Sequence, residues 1–341
     1  MAAMATARGP PMRPMFERVM TTLQLTRISV AFGAVSDLWF MIVLLWMLQE
    51  DSFDGVVVEW SGTTGLTWLP LALVAGLVIA LGLFAYGASL NDVLDVRRDA
   101  AFRLQRPIAT GRIAPGQAVV ITGCALLTAM VGAMGLGTWS VWMTMLVAVM
   151  LLFYNAAGRY LPAVGIVTIG LVHATHMLIP DPGFPVLLPI WLSMTHAMFV
   201  ALGISLLEDK RPRITRYALV GIVAGWIFWS AVLGWLSWHR IGGLWPDRLP
   251  MWSLAWPAAA ALGGLLVLRW KQRTARDRRA GAEKLRRYGA LWHCMYGSAW
   301  FAALGMMLPA LCFGVLAIIG FVVMTVLREA VGLTGRPLDF R

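Results

Sequence analysis

Charge is what this 341-residue chain has least of. Only 13% of its residues are Asp, Glu, Lys or Arg, against about 25% in an average soluble domain. With 59% hydrophobic residues, that scarcity excludes an ordinary soluble protein. Long polar segments are missing too. The longest, 271–290, is far too short for a soluble domain. Cysteine is scarce: Cys124, Cys294 and Cys312 stand in or beside apolar runs without CxxC spacing. That pattern excludes a disulfide or thiolate-metal framework and predicts buried free thiols. The N-terminus has no compact apolar run followed by a small-residue cleavage site, so no removable signal peptide is expected. Internal repeats and paired interrupted spans are also lacking, which argues against a transporter.

What is present is apolar length. Runs of about 18 to 25 apolar residues can cross a bilayer. Nine are read: 28–48, 66–90, 116–136, 138–157, 161–180, 184–207, 215–237, 251–270 and 298–327. Seventeen tryptophans and twenty methionines suit membrane interfaces and irregular apolar space. The expectation is an all-α polytopic membrane protein of about nine transmembrane helices. Its parts are a tail at 1–27, a transmembrane domain at 28–327 and a short tail at 328–341.

The net charge of +11 does not call for nucleic acid, because it falls on one membrane face. With the N-terminus cytoplasmic, 23 of the 28 basic residues lie inside. The first outer loop is acidic, with Glu50, Asp51, Asp54 and Glu59. Positive-inside bias therefore predicts a cell-membrane protein, N-terminus in and C-terminus out. The basic run 271–290 reads as a solvated loop near anionic headgroups.

One stretch does not fit a passive span: "LNDVLDVRRDAAFRLQRPIATGRI", Leu90–Ile113. If the second helix continues through it, each residue advances about 100°. Asn91, Asp92, Asp95 and Asp99 then share one stripe, with Arg97 and Arg98 pointing elsewhere. Acids on one stripe repel unless a cation lies between them. Hard oxygen ligands suit Mg²⁺, whose shell is commonly completed by substrate phosphates. The pattern points to a Mg²⁺–diphosphate site at the membrane boundary; the plain alternative is a solvated helix end. Pro107 and Gly111 would end the helix. Arg106 and Arg112 are left nearby, either as phosphate forks or as ordinary loop charges.

The motif N-D-x-x-D-x-x-x-D followed by R-P-x-x-x-G-R-I resembles the first signature of the UbiA superfamily of intramembrane prenyltransferases. Asn91, Asp92, Asp95, Asp99, Arg106, Pro107 and Gly111 carry the match. "YNAAGRYLP" at 154–162 resembles a second family segment, with Arg159 near its basic position. The resemblance covers about 20–330 and implies a UbiA-like bundle. It implies a Mg²⁺-dependent transfer of a prenyl group from a prenyl diphosphate to an aromatic or other lipophilic acceptor. Asp92, Asp95, Asp209 and Lys210 would be catalytic, and Asn91, Asp92, Asp95 and Asp99 would hold metal. Arg106, Arg159, Lys210 and Arg211 would contact diphosphate.

The family's second acid motif is degenerate here. If Asp209 is its third acid, Ala201 and Ser205 occupy the other two positions. Glu208 and Asp209 would then complete the metal set, with Lys210 and Arg211 supplying positive charge in place of a second Mg²⁺. The alternative is a non-catalytic prenyl-lipid binding or carrier protein that keeps only the first motif. Within the spans, His173 and His176 share a helix face, and His196 and Asp37 stand apart from them. Such groups face bundle interiors. They serve helix packing or touch an acceptor; the histidine pair alone offers too few ligands for a metal.

Overall fold

The computed structural model describes residues 21–23, 25–27, 31–50, 68–101, 106–208, 212–247 and 249–333. Among them there is no strand. Ten long helices form: α1 (Phe32–Glu50), α2 (Leu69–Leu94), α4 (Pro115–Met134), α5 (Thr138–Ala156), α6 (Pro162–Met177), α7 (Leu188–Leu207), α8 (Arg216–Ile241), α9 (Ala255–Arg273), α10 (Arg278–Ala303) and α11 (Met307–Leu333). A short helix, α3 (Val96–Ala101), extends the line of α2.

Local sequence starts and stops these helices. Proline stands in the first turn of α2, α4, α6 and α7, where its missing N–H costs nothing and its fixed φ suits the helix. Thr215 and Asp277 cap α8 and α10 by accepting from the Ala218 and Ala280 amides. Among the described residues seven helices are long and apolar enough to cross a membrane: α2, α4, α5, α7, α8, α11 and the segment Met251–Arg273 that contains α9. The apolar helices Phe32–Leu48 and Pro162–Met177 are shorter. The outer faces carry exposed apolar residues, among them Val120, Leu127, Phe228, Trp235, Leu266 and Leu311. Among the described residues this is an all-α bundle with the apolar spans of an integral membrane protein.

The C-terminal third differs from the nine-run expectation. The run 298–327 is not one span. α10 ends at Ala303, the chain turns at Leu304–Met306, and α11 begins at Met307. Gly305 makes the turn with φ +77°, a conformation that glycine adopts without a Cβ clash. The polar stretch 271–290 is mostly helix rather than loop. The Asp277 cap starts α10 inside it, and Arg, Ala, Glu and Lys are good helix formers. Hydropathy missed α10 because its first half is basic; its second half, Leu291–Ala303, is the buried centre of the bundle. The cysteine expectation also needs correction: Cys294 is buried, but Cys124 and Cys312 are exposed on the outer surface.

Close helix approaches set the architecture. α2 and α4 cross where Gly82 faces Ala125 and Ala129, so near that an added Cβ would lie 2.7 Å from the Ala129 amide nitrogen. Ala125, Ala129 and Ala133 repeat every fourth residue, the small-residue spacing that lets membrane helices pack backbone to backbone. α1 packs as tightly on α10, with Gly33 against the Ala290 carbonyl. Phe40, Phe301 and Phe313 then join α1, α10 and α11 through tilted and edge-on ring contacts.

Candidate active site at the end of α2

The acid stripe lies where α2 meets α3. Asp95 is the residue between them, with φ −93° and ψ 1°. The backbone ladder nevertheless continues: the Asp95 amide donates to Asn91 O at 3.1 Å, and the Asp99 amide to Asp95 O at 2.8 Å. Helical phase is therefore kept across the joint. Asp92, Asp95 and Asp99 are all buried, whereas Arg97 and Arg98 are exposed. Three buried carboxylates would repel strongly if left alone.

Three arginines hold them. Arg159 grips Asp95 with both terminal nitrogens, at 2.7 and 2.6 Å, and Nη1 also donates to Asn91 Oδ1 at 2.6 Å. A further bond to Tyr160 Oη at 3.0 Å fixes its plane. The 3₁₀ turn Gly158–Tyr160 between α5 and α6 delivers this side chain. Arg106 pairs with Asp92 and lies 3.2 Å from Asp99. It follows α3 in the turn built around Pro107 and Gly111, the latter at φ +72°. Arg27 donates to Asp92 Oδ1 at 3.0 Å. Burial pulls Arg27 down from its ordinary pKa, with Asp92 acting against that shift. Burial pushes the Asp99 carboxyl up, opposed by Arg106.

The cradle thus balances three carboxylates with three guanidiniums. Arg159 Nε is buried without a hydrogen-bond partner, and Arg106 Nε faces Asp99 Oδ2 at 3.2 Å without hydrogen-bond geometry. Guanidinium forks suit phosphate oxygens, and the carboxylate and amide oxygens of Asn91, Asp92, Asp95 and Asp99 are hard ligands of the kind Mg²⁺ takes. On both counts the residues fit a Mg²⁺–diphosphate ligand.

The opposite wall is described in part. Glu208 ends α7 and pairs with Arg286 of α10 at 2.6 Å. Ser205 turns inward on its own helix and donates to the Ala201 carbonyl. Asp209, Lys210 and Arg211 lie outside the described residues. Arg112 is exposed, with its Nε donating to Thr110. Sequence reasoning missed Arg27 and Arg286. Both sat in segments read only as topological charge, and only helix packing brings them to the acids.

A second polar cluster lies deeper, between α1, α6, α7 and α10. His293 Nδ1 is 2.9 Å from Asp37 Oδ1, and His173 Nδ1 is 3.2 Å from Asp37 Oδ2. Ser193 donates to Asp37 Oδ2 at 3.2 Å. His196 lies edge-on to His293, its Nε2 is 3.0 Å from Gly289 O, and its Nδ1 is 2.9 Å from Tyr296 Oη. His293 was hidden from sequence reasoning by the same misread segment that hid α10.

The geometry defines a membrane-embedded bundle with a buried acid–arginine cradle at one end. The model of the "UbiA prenyltransferase family" matches residues 52–180, the segment holding Asn91, the three aspartates, Arg106 and Arg159. The matched segment contains the motif that carries the UbiA resemblance in the sequence. No curated protein matches the chain by sequence. Among solved structures, one described for digeranylgeranylglyceryl phosphate synthase is 14% identical, with 85% of this chain and 99% of that chain covered and a TM-score of 0.53. A UbiA homologue from Archaeoglobus fulgidus, bound to DMAPP and Mg²⁺, is 13% identical, with 90% and 99% covered and a TM-score of 0.42. The same homologue bound to GPP and Mg²⁺ is 14% identical, with 89% and 99% covered and a TM-score of 0.42.

Proposed function

We propose that the protein is a Mg²⁺-dependent intramembrane prenyltransferase that moves a prenyl group from a prenyl diphosphate to an aromatic or other lipophilic acceptor. The observation that carries this reading is the cradle itself: three buried aspartates on one face, each paired with a guanidinium, within the segment matched by the family model. Asn91, Asp92, Asp95 and Asp99 would hold the metal, with Glu208 and Asp209 as further candidates. Bound Mg²⁺ would supply positive charge against the departing diphosphate. Arg106 and Arg159 would turn from carboxylate to phosphate oxygens, with Lys210 and Arg211 joining from the opposite wall. The C–O bond of the donor breaks with its electron pair leaving on diphosphate. The allylic cation would then be attacked by the acceptor, which gives up a proton to the departing diphosphate, in a chamber walled from water. The orientation we favour has the N-terminus and the cradle in the cytoplasm.

A second reading rests on Ala201 and Ser205, which stand where the family's second motif carries acids. In it the protein binds or carries prenyl lipids without turnover. One experiment separates the two. Purified protein is incubated with Mg²⁺ and labelled prenyl diphosphates of several lengths, then lipids are extracted. Binding should vanish with chelator and in Asp92→Asn, while Arg97→Ala should behave as wild type. Lys210→Ala should lower product formation about 10²–10³-fold if that lysine replaces a second metal. Binding that ignores metal would end both readings, and tight binding without product for any acceptor would favour the carrier.

A further inference from the structure

We propose that Asp37, His173 and His293 form a second metal centre, for a zinc- or iron(II)-class ion, deep in the bundle and separate from the diphosphate cradle. One ligand atom from each of the three residues lies within 4.8 Å of the others. Two imidazoles turn Nδ1 toward one carboxylate, at 2.9 and 3.2 Å. These spacings resemble the edges between ligands on one ion with bonds of about 2.0–2.2 Å. Two histidines and one carboxylate are a transition-metal set; Mg²⁺ prefers oxygen alone.

The site is also distant from the cradle. Phe32 of α1 and Phe84 of α2 share one small apolar cluster. Counting from that level, Asp37 lies five residues one way and Asp92 eight residues the other way, so helix rise separates them by about 20 Å. No side chain is shared between the two sites.

Several features mark this as more than helix packing. Polar residues this deep in spans are costly unless something collects them. Here Asp37, Ser193, His196 and His293 are all buried and come from three different helices, α1, α7 and α10. Independently, His176 stands one turn from His173 on the same face of α6, is only 5% exposed, and its Nε2 has no hydrogen-bond partner. A buried imidazole nitrogen without a partner is costly to leave in place. Supporting contacts are in place as well. Ser193 orients Asp37, and Tyr296 and the Gly289 carbonyl fix His196 against His293. Such outer contacts tune ligand orientation at metal sites. The Gly33–Ala290 approach sets the α1–α10 spacing. The His173 side chain is 30% exposed, so one side of the cluster is open. That matches sites which keep a position for an outside ligand rather than closed structural ones.

The test uses untagged full-length protein in detergent. Elemental analysis should find about one zinc or iron per chain after washing with Mg²⁺ buffer. After stripping, Co²⁺ should restore a visible band with imidazole character. Asp37→Asn and His293→Gln should lose the metal, and Ser193→Ala should weaken it about tenfold. His173→Gln, at the open edge, serves as a ligand variant if the buried ones fail to fold. Asp92→Asn should retain the metal, because the cradle is a different site. A folded wild type that takes up neither Zn²⁺ nor Co²⁺ at micromolar concentration would overturn the proposal and leave a hydrogen-bonded network. Metal content unchanged in Asp37→Asn or His173→Gln would equally overturn it, as binding elsewhere. Loss of prenyl diphosphate binding has no bearing on these outcomes.

Discussion

Removing Arg159 tests whether the cradle is an energetic unit and a donor site at once. The perturbation is Arg159→Ala. It breaks a two-pronged pair with Asp95 and single bonds to Asn91 and Tyr160. Deleting one partner of a buried pair costs about 3–5 kcal/mol, because the other charge stays buried. The side chains are 12% and 9% exposed, so the lower end, about 3 kcal/mol, is expected after allowing for water reaching the carboxylate. Asp95→Asn alone should cost less, about 1–3 kcal/mol, because the amide still accepts from Arg159. The double variant has no unpaired carboxylate at this position. It should lose only about 1 kcal/mol, which against summed single losses of about 4–6 kcal/mol is a coupling of about 3 kcal/mol or more. The assay is thermal unfolding in detergent together with Mg²⁺-dependent binding of a prenyl diphosphate. Stability should return in the double variant and donor binding should not. Strictly additive losses would refute the coupled pair, and a stable double variant that binds donor normally would remove Arg159 and Asp95 from the site.

The remaining predictions concern architecture. A reporter after Arg341 should lie on the same membrane side as one inserted at 274–277, not on the opposite side that the nine-run reading expects, because α10 and α11 pack antiparallel, Gly297 against Phe313 and Gly320 against Leu291, and return the chain to the end of α9; reporters on opposite sides would mean that α10 does not cross. Gly82→Ala should lower stability by about 1–3 kcal/mol, because the new methyl meets the backbone of Ala125 and Ala129, which cannot swing away. Gly116→Ala, whose Cβ meets nothing within 4 Å, should be neutral or slightly stabilising. Equal unfolding temperatures for the two alanine variants would contradict the close α2–α4 crossing.

The first acid motif was legible because it is a helical pattern, and helical pattern survives folding. The 100° phase that groups Asp92, Asp95 and Asp99 needs only a continuous backbone ladder, and the Asp95 joint keeps one. What pairs with those acids was not legible. Arg27 is 65 residues from Asp92, and Arg159 is 64 from Asp95; no local period links such positions. The hairpin of α10 and α11 was missed for a different reason. A hydropathy window averages over charge, so a helix with a basic first half and a buried second half reads as loop followed by span. That one misreading also hid His293, and with it the partner that turns Asp37 from an isolated acid into part of a cluster.

The two sites differ in how they carry charge, and this bears on what each can hold. In the cradle, three carboxylates already have three guanidiniums, so a Mg²⁺–diphosphate pair can enter by exchange of partners, with cations moving to phosphate and anions to metal. Little new buried charge is created, which avoids the large cost of placing an unpaired ion in a low dielectric. Around Asp37 no guanidinium is within bonding distance among the described residues; the single carboxylate has only imidazoles and a hydroxyl. That cluster balances its charge with a proton shared among histidines or with a metal ion, and the second choice leaves one positive charge over. The open side at His173 is where an anionic oxygen would cancel it. The two occupants we propose, Mg²⁺ with diphosphate at one end and a softer ion with an outside oxygen ligand in the middle, rest on the same rule applied to two different sets of partners.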